Sequence, residues 1–238
     1  MSGCVLGFCP TYRVEPETRE ALIAQQWAGG YDVVFTRDNP YPHDDAGRAN
    51  ILHNYRKARQ ACLGGGYDAL WVVESDIIPP LDALKKLNAL GADVAYGAYL
   101  FRSWGAAGGP VINVCRHVVA PAPDQSLSFY PDEYRAAWGK VIRCSGSGTG
   151  CILIRRRALE AIDFRPCQAH CDSAFTEDVF KAGLRMMADM TVVCGHKAPD
   201  GQITWPLDEP LKMRISHGVT GGYRGELADD PTHQPTGG

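Results

Sequence analysis

The run Ala69-Leu70-Trp71-Val72-Val73 constrains the fold more than any other segment of the chain. Five apolar residues in unbroken order show no alternation, so they suit a strand covered on both faces rather than one with a wet side. The flanking pattern agrees. Residues 4–9, 31–36, 68–73 and 93–100 read as short strands, and residues 15–27, 44–63 and 81–90 between them have helical spacing. Pro16 stands near a helix start, Asp44 or Asp45 is placed to cap the second helix, and Gly64-Gly65-Gly66 ends it. Strand and helix in that alternation predict an α/β fold: a Rossmann-like, mostly parallel sheet with helices on both faces. Further on, 149–154 and 186–193 read as strands, and 155–162 and 176–184 as helices. Residues 111–147 are open to several short strands or hairpins. The chain from Gly195 is polar and rich in Gly and Pro, and 229–238 reads as a disordered tail.

With 238 residues, 45% hydrophobic and 21% charged, the chain can bury a core without staples. One domain over 1–228 is expected, with halves at 1–100 and 101–228. A net charge of −3 gives no general attraction to nucleic acid or anionic membranes. No apolar run approaches the roughly 18 residues of a membrane span. The first ten residues lack a basic region and a full apolar stretch, so no secretory leader is read and a cytoplasmic location is expected. Nine cysteines, an odd number spread along the chain, read as free thiols. Cys167, His170 and Cys171 resemble half a zinc site, but no second Cys/His pair answers them.

Glu74-Ser75-Asp76 is the feature that carries chemistry. Two carboxylates, one residue apart, stand at the carboxyl end of a buried strand, the edge where open α/β sheets bind ligands. On an extended chain residues i and i+2 face one way. Paired carboxylates are hard oxygen donors suited to Mg²⁺ or Mn²⁺. The plain alternative is a polar strand exit, with Asp76 stabilising a turn.

In order along the chain stand Thr11-Tyr12-Arg13 after the first strand, Asp38 after the second, Gly47-Arg48-Ala49-Asn50, Glu74-Ser75-Asp76 with Pro79-Pro80, Gly148-Thr149-Gly150, Glu177-Asp178, and Cys194-Gly195-His196. This series resembles the GT-A glycosyltransferases, in particular the family 2-like group, from Cys4 to about His196. The family usually has Asp-x-Asp where this chain has Glu74-Ser75-Asp76.

The resemblance implies a metal-dependent transferase that moves a sugar from a nucleoside diphosphate sugar to an acceptor hydroxyl. It places the metal on Asp76 and His196, with Glu74 on the metal or the nucleotide ribose. The 1–100 half would bind the nucleotide, through Thr11, Tyr12, Arg13, Asp38, Arg48, Glu74 and Ser75. Gly148, Thr149 and Gly150 would lie by the donor sugar and acceptor in the catalytic half. Glu177-Asp178 would open the catalytic helix, with Asp178 as general base and an inverting outcome; Asp172 is a weaker candidate for that base, and His217 for the metal. A helix N-terminus that simply favours carboxylates accounts for Glu177 and Asp178 equally. The loop 102–110 is expected to close over the donor. Two other readings stand beside this one: a sugar nucleotidyltransferase, which normally carries a phosphate loop that residues 8–13 lack, and a non-catalytic relative that binds nucleotide or glycan. The acceptor is open among a glycan, a small molecule, a protein and a hydroxylated base of modified DNA. Arg48, Arg56, Lys57 and Arg59 hint at an acceptor bearing phosphate.

Overall fold

The computed structural model describes residues 3–10, 14–36, 39–43, 47–104, 110–119, 127–167, 171–210, 212–216 and 226–228, excepting the side chains of 102–104 and 226–228. Thr11, Tyr12, Arg13, Asp38, Asp44, Asp45, His170, His217 and the tail 229–238 lie outside the described residues, as do 105–109 of the expected lid.

The alternating rhythm is realised as β1 (Val5–Cys9), α1 (Pro16–Ile23), β2 (Tyr31–Phe35), α2 (Arg48–Gly64), β3 (Ala69–Val73), β4 (Ile77–Ile78), α3 (Ala83–Ala89) and β5 (Val94–Ala98). A hairpin of β6 (Leu100–Trp104) and β7 (Pro110–Ile112) follows, then β8 (Val114–Arg116), α4 (Pro131–Ala137), β9 (Val141–Ser147) and β10 (Cys151–Arg155). Next come α5 (Arg156–Ala161), α6 (Cys171–Lys181) and β11 (Met186–Val193). The chain closes with β12 (Gly195–Lys197), β13 (Ile203–Pro206), β14 (Met213–Ser216) and β15 (Glu226–Ala228).

Eight strands form the central sheet in the order β2-β1-β3-β10-β5-β11-β9-β8. From the pairings, β2, β1, β3, β5, β11 and β8 run one way, and β10 and β9 the other. The sheet is thus mostly parallel, as expected. In β3, Leu70 and Val72 join the core under α2, α5 and α6, while Ala69, Trp71 and Val73 join the one under α1 and α3. Both faces are covered, which is why the run carries no polar residue.

The polar, Gly- and Pro-rich stretch from Gly195, for which no elements are read in the sequence, contains β12, β13 and β14, which build a second sheet in the order β15-β14-β13-β12-β4. Residues 111–147, open in the sequence to short strands or hairpins, contain β8 and β9 and also α4, started by Pro131 and by the Glu133 carboxylate accepting from the Tyr130 backbone N–H. Helix α6 begins at Cys171, five residues earlier than read.

Arg155, Arg156 and Arg157 read as a solvated helix start, yet each is tied down. Arg155 donates to the Asn88 carbonyl, Arg156 to those of Leu63 and Tyr67, and Arg157 pairs with Asp93. The buried Asp93 carboxylate also accepts the Arg185 backbone N–H at 2.8 Å. Burial pushes this carboxyl up, but the Arg157 side chain and the Arg185 N–H outweigh it and hold it below the ordinary aspartate range. A carboxyl lowered on folding contributes stability above its unfolded value of about 3.9, and the contribution disappears as pH falls through the folded value. Asp93→Ala, which strands that backbone donor, is expected to lose about 1–3 kcal/mol at pH 7. Melting temperatures taken from pH 7 down to 2 should show wild type and variant converging below about pH 4.

Candidate active site

Glu74 and Asp76 do not lie on a continuous strand. Strand β3 stops at Val73, a turn follows in which the Ile77 N–H bonds the Glu74 carbonyl at 3.0 Å, and β4 continues in the second sheet. The two carboxylates nevertheless face a common space. Glu74 is set deep, and burial first, then the negative charge of Asp76, raise its carboxyl to about 7. Its Oε1 accepts from the Tyr55 hydroxyl at 3.0 Å, and the same hydroxyl lies 2.6 Å from the Thr149 Oγ1. Cys9, at the end of β1, feels the same place: burial, Asp76 and Glu74 push its thiol up to about 12.

A two-residue ladder brings His196 to this turn. Strand β12 pairs antiparallel with β4, His196 opposite Ile77, and the Lys197 N–H bonds the Asp76 carbonyl at 2.8 Å. Lys197 also holds Glu17 at 2.7 Å and Glu15 at 3.1 Å, tying the start of α1 to the same turn. The His196 Nδ1 lies 2.6 Å from the Leu100 carbonyl, which can only accept, so Nδ1 carries the proton. Its Nε2 then faces the Asp76 Oδ2 across 3.8 Å, with the two side chains only 10% and 22% exposed. Such a pair is either an imidazolium–carboxylate contact or two ligands awaiting one cation. The carbonyl behind the ring is the usual support of a metal-binding histidine. Metal–ligand bonds of about 2.1 Å span roughly 3–4.2 Å between two ligand atoms, so the pair fits a small divalent ion. Among the described residues no set of three His, Cys, Asp or Glu is gathered as a metal cluster.

Gly148 and Gly150 lie against protein: a Cβ on either would strike the Tyr99 side chain, whose hydroxyl is 3.1 Å from the Gly150 N–H. Their role is close packing behind Thr149, which touches the Tyr55–Glu74 pair. Ser75 offers its carbonyl to the Glu15 N–H at 2.9 Å. Arg48 is the exposed first residue of α2. Arg56 donates through Nε to the Phe164 carbonyl and Arg59 to those of Leu159 and Ile162, so both guanidiniums fasten the C-terminal end of α5 and the chain after it.

The carboxylates of α6 separate into two groups. Asp178 is clamped by Arg165, with contacts of 2.6 and 3.0 Å, and that guanidinium holds it below the ordinary range. Glu177 pairs with Lys181 at 2.5 Å and with Arg165 at 3.0 Å, and is likewise held low, chiefly by Lys181. Asp172, in the first turn, points elsewhere. Its charge adds to the rise of Glu74 and of the buried Tyr99, and its side chain lines a cavity of about 690 Å³. That cavity lies between the β6–β7 hairpin, β8, β9 and α6. Asp172 therefore lines the cavity and lies near enough to Glu74 for its charge to be felt there. Its helical spacing with Thr176 and Phe180, which line the same cavity, was the signal available in sequence.

No protein-family model matches the chain, and no curated protein matches it. Among solved structures it is similar to A197 from STIV, with a TM-score of 0.58 and 19% identity, over 88% of this chain and 92% of that one. At that identity the likeness bears on the fold alone: a mixed α/β domain with a large, mostly parallel sheet. Among the described residues no helix is long and apolar enough to cross a membrane.

Proposed function

We propose that the chain is a GT-A-type glycosyltransferase that uses a divalent cation and a nucleoside diphosphate sugar. The observation that carries this reading is the facing of the His196 Nε2 and the Asp76 carboxylate at the carboxyl end of β3, with Nδ1 committed to Leu100. Asp76 and His196 would hold Mn²⁺ or Mg²⁺, which when bound neutralises charge on the departing diphosphate. The general base in this proposal moves from Asp178 to Asp172. The Arg165 guanidinium makes Asp178 a weaker base, whereas Asp172 borders the space an acceptor can occupy. The acceptor oxygen bonds the anomeric carbon, the bond from that carbon to the diphosphate breaks, and the hydroxyl proton passes to the Asp172 carboxylate. Attack opposite the leaving group inverts the anomeric centre.

A thermal-shift panel of UDP-, GDP- and dTDP-sugars, each with and without Mn²⁺, tests the reading. One nucleotide class at 100 times its dissociation constant should stabilise the chain by about 2.7 kcal/mol, or roughly 5–10 °C, only when metal is present. No metal-dependent shift with any of the three would remove the proposal.

A further inference from the structure

The cavity beside Asp172 restricts its own ligand. Its volume of about 690 Å³ is in the range that encloses a small organic molecule. Leu100, Ile112, Phe129 and Phe180 supply apolar wall, and Phe101 keeps 38% of its surface accessible there. Three polar side chains of the wall are already engaged with protein. Asn113 accepts the Tyr99 N–H and donates to the Gly97 carbonyl and the Ser147 hydroxyl. Ser147 in turn donates to the Gly148 carbonyl, and Ser145 both accepts from and donates to the Val118 backbone. A sugar ring bearing hydroxyls on every side would give up water here and find few partners.

Charge points the same way. Of the acidic groups in the lining, Glu177 is paired with Lys181 and Arg165, and Glu209 with Arg135, while Lys212 is the cation that lines the cavity among the described residues. Nothing there matches the row of phosphates on a nucleic acid strand.

Resting on the transferase reading above, we infer that the acceptor is a neutral, hydroxylated aromatic compound, its ring body in this cavity and its hydroxyl at Asp172. Two neutral phenols, 4-nitrophenol at pH 6 and 4-methylumbelliferone, serve as probes against the full chain in equilibrium dialysis. Leu127→Trp fills the cavity from the wall ahead of α4, and Val111→Trp fills it from the hairpin wall; both stand off α6 and apart from the Asp76–His196 pair. The wild type is expected to bind at least one phenol, both variants to bind it about tenfold more weakly or worse, and all three proteins to show the same shift with donor and Mn²⁺. Failure of the wild type to bind either phenol, equal binding by both variants, or turnover on a hydroxymethylated DNA duplex would overturn the inference. A donor shift without phenol binding defeats the ligand class alone. Phenol binding that the variants lose, with no donor shift in any protein, defeats the transfer reaction and leaves the ligand class standing.

Discussion

Asp172→Asn is expected to lower transfer turnover by about 10²–10⁴-fold, the usual contribution of a positioned general base. The amide keeps the shape of the side chain and its place in the first turn of α6, so donor binding and melting temperature should stay near wild type. The loss should therefore appear in kcat, with the metal-dependent donor shift intact. Asp178→Asn supplies the contrast. It removes one half of an exposed ion pair with Arg165, an interaction of small net worth in water, and should leave turnover within a few-fold of wild type. The reverse result, with Asp178→Asn inactive and Asp172→Asn active, would return the base to Asp178 and require Arg165 to release it during the reaction. The helix itself argues against that outcome. Asp172, Thr176 and Phe180 recur every four residues on one face, whereas Asp178 is two residues past Thr176 and so lies about 200° around the axis.

The sequence points to Glu177-Asp178 rather than to Asp172 for a physical reason. Glu177-Asp178 has the composition of a helix start, because acidic residues are favoured in a first turn. In the folded chain the same pair sits where the second turn of α6 passes into the third, satisfied by Lys181 and Arg165, while Cys171-Asp172-Ser173 occupies the start without a long apolar repeat to mark it. Strands β1, β3, β5 and β10 were legible because each is a short, mostly apolar run buried on both faces, as Leu70 and Trp71 illustrate by entering opposite cores. The second sheet was not. Strands β12, β13 and β14 are three or four residues long, half-buried and close to Gly and Pro, so no periodicity accumulates before each one ends. Asp76 and His196 could each be singled out from the chain, but their meeting depends on the β4–β12 pairing, a contact across about 120 positions that only tertiary structure supplies.

Asp76→Asn should abolish the metal-dependent donor shift without weakening the apo protein. The carboxylate is one of two protein ligands in the proposed site, and loss of a supporting group one shell out already costs roughly 10–100-fold in metal affinity. Losing the ligand itself should exceed about a hundredfold, which places Mn²⁺ binding beyond the reach of an ordinary titration. His196→Gln, which leaves Asp76 in place, should retain weak metal binding and a reduced shift. In the apo protein the sign is opposite. Asp76 and Glu74 are like charges in a partly dry space, and their repulsion is one reason the Glu74 carboxyl is pushed up. Removing one charge relieves that repulsion, so the metal-free melting temperature of Asp76→Asn should equal or exceed that of wild type, as expected where a site trades stability for function. Calorimetry in chelator, then in Mn²⁺ with donor, reads both halves. An apo protein destabilised by Asp76→Asn, with the donor shift preserved, would mean that Asp76 serves the turn between β3 and β4 and binds no metal.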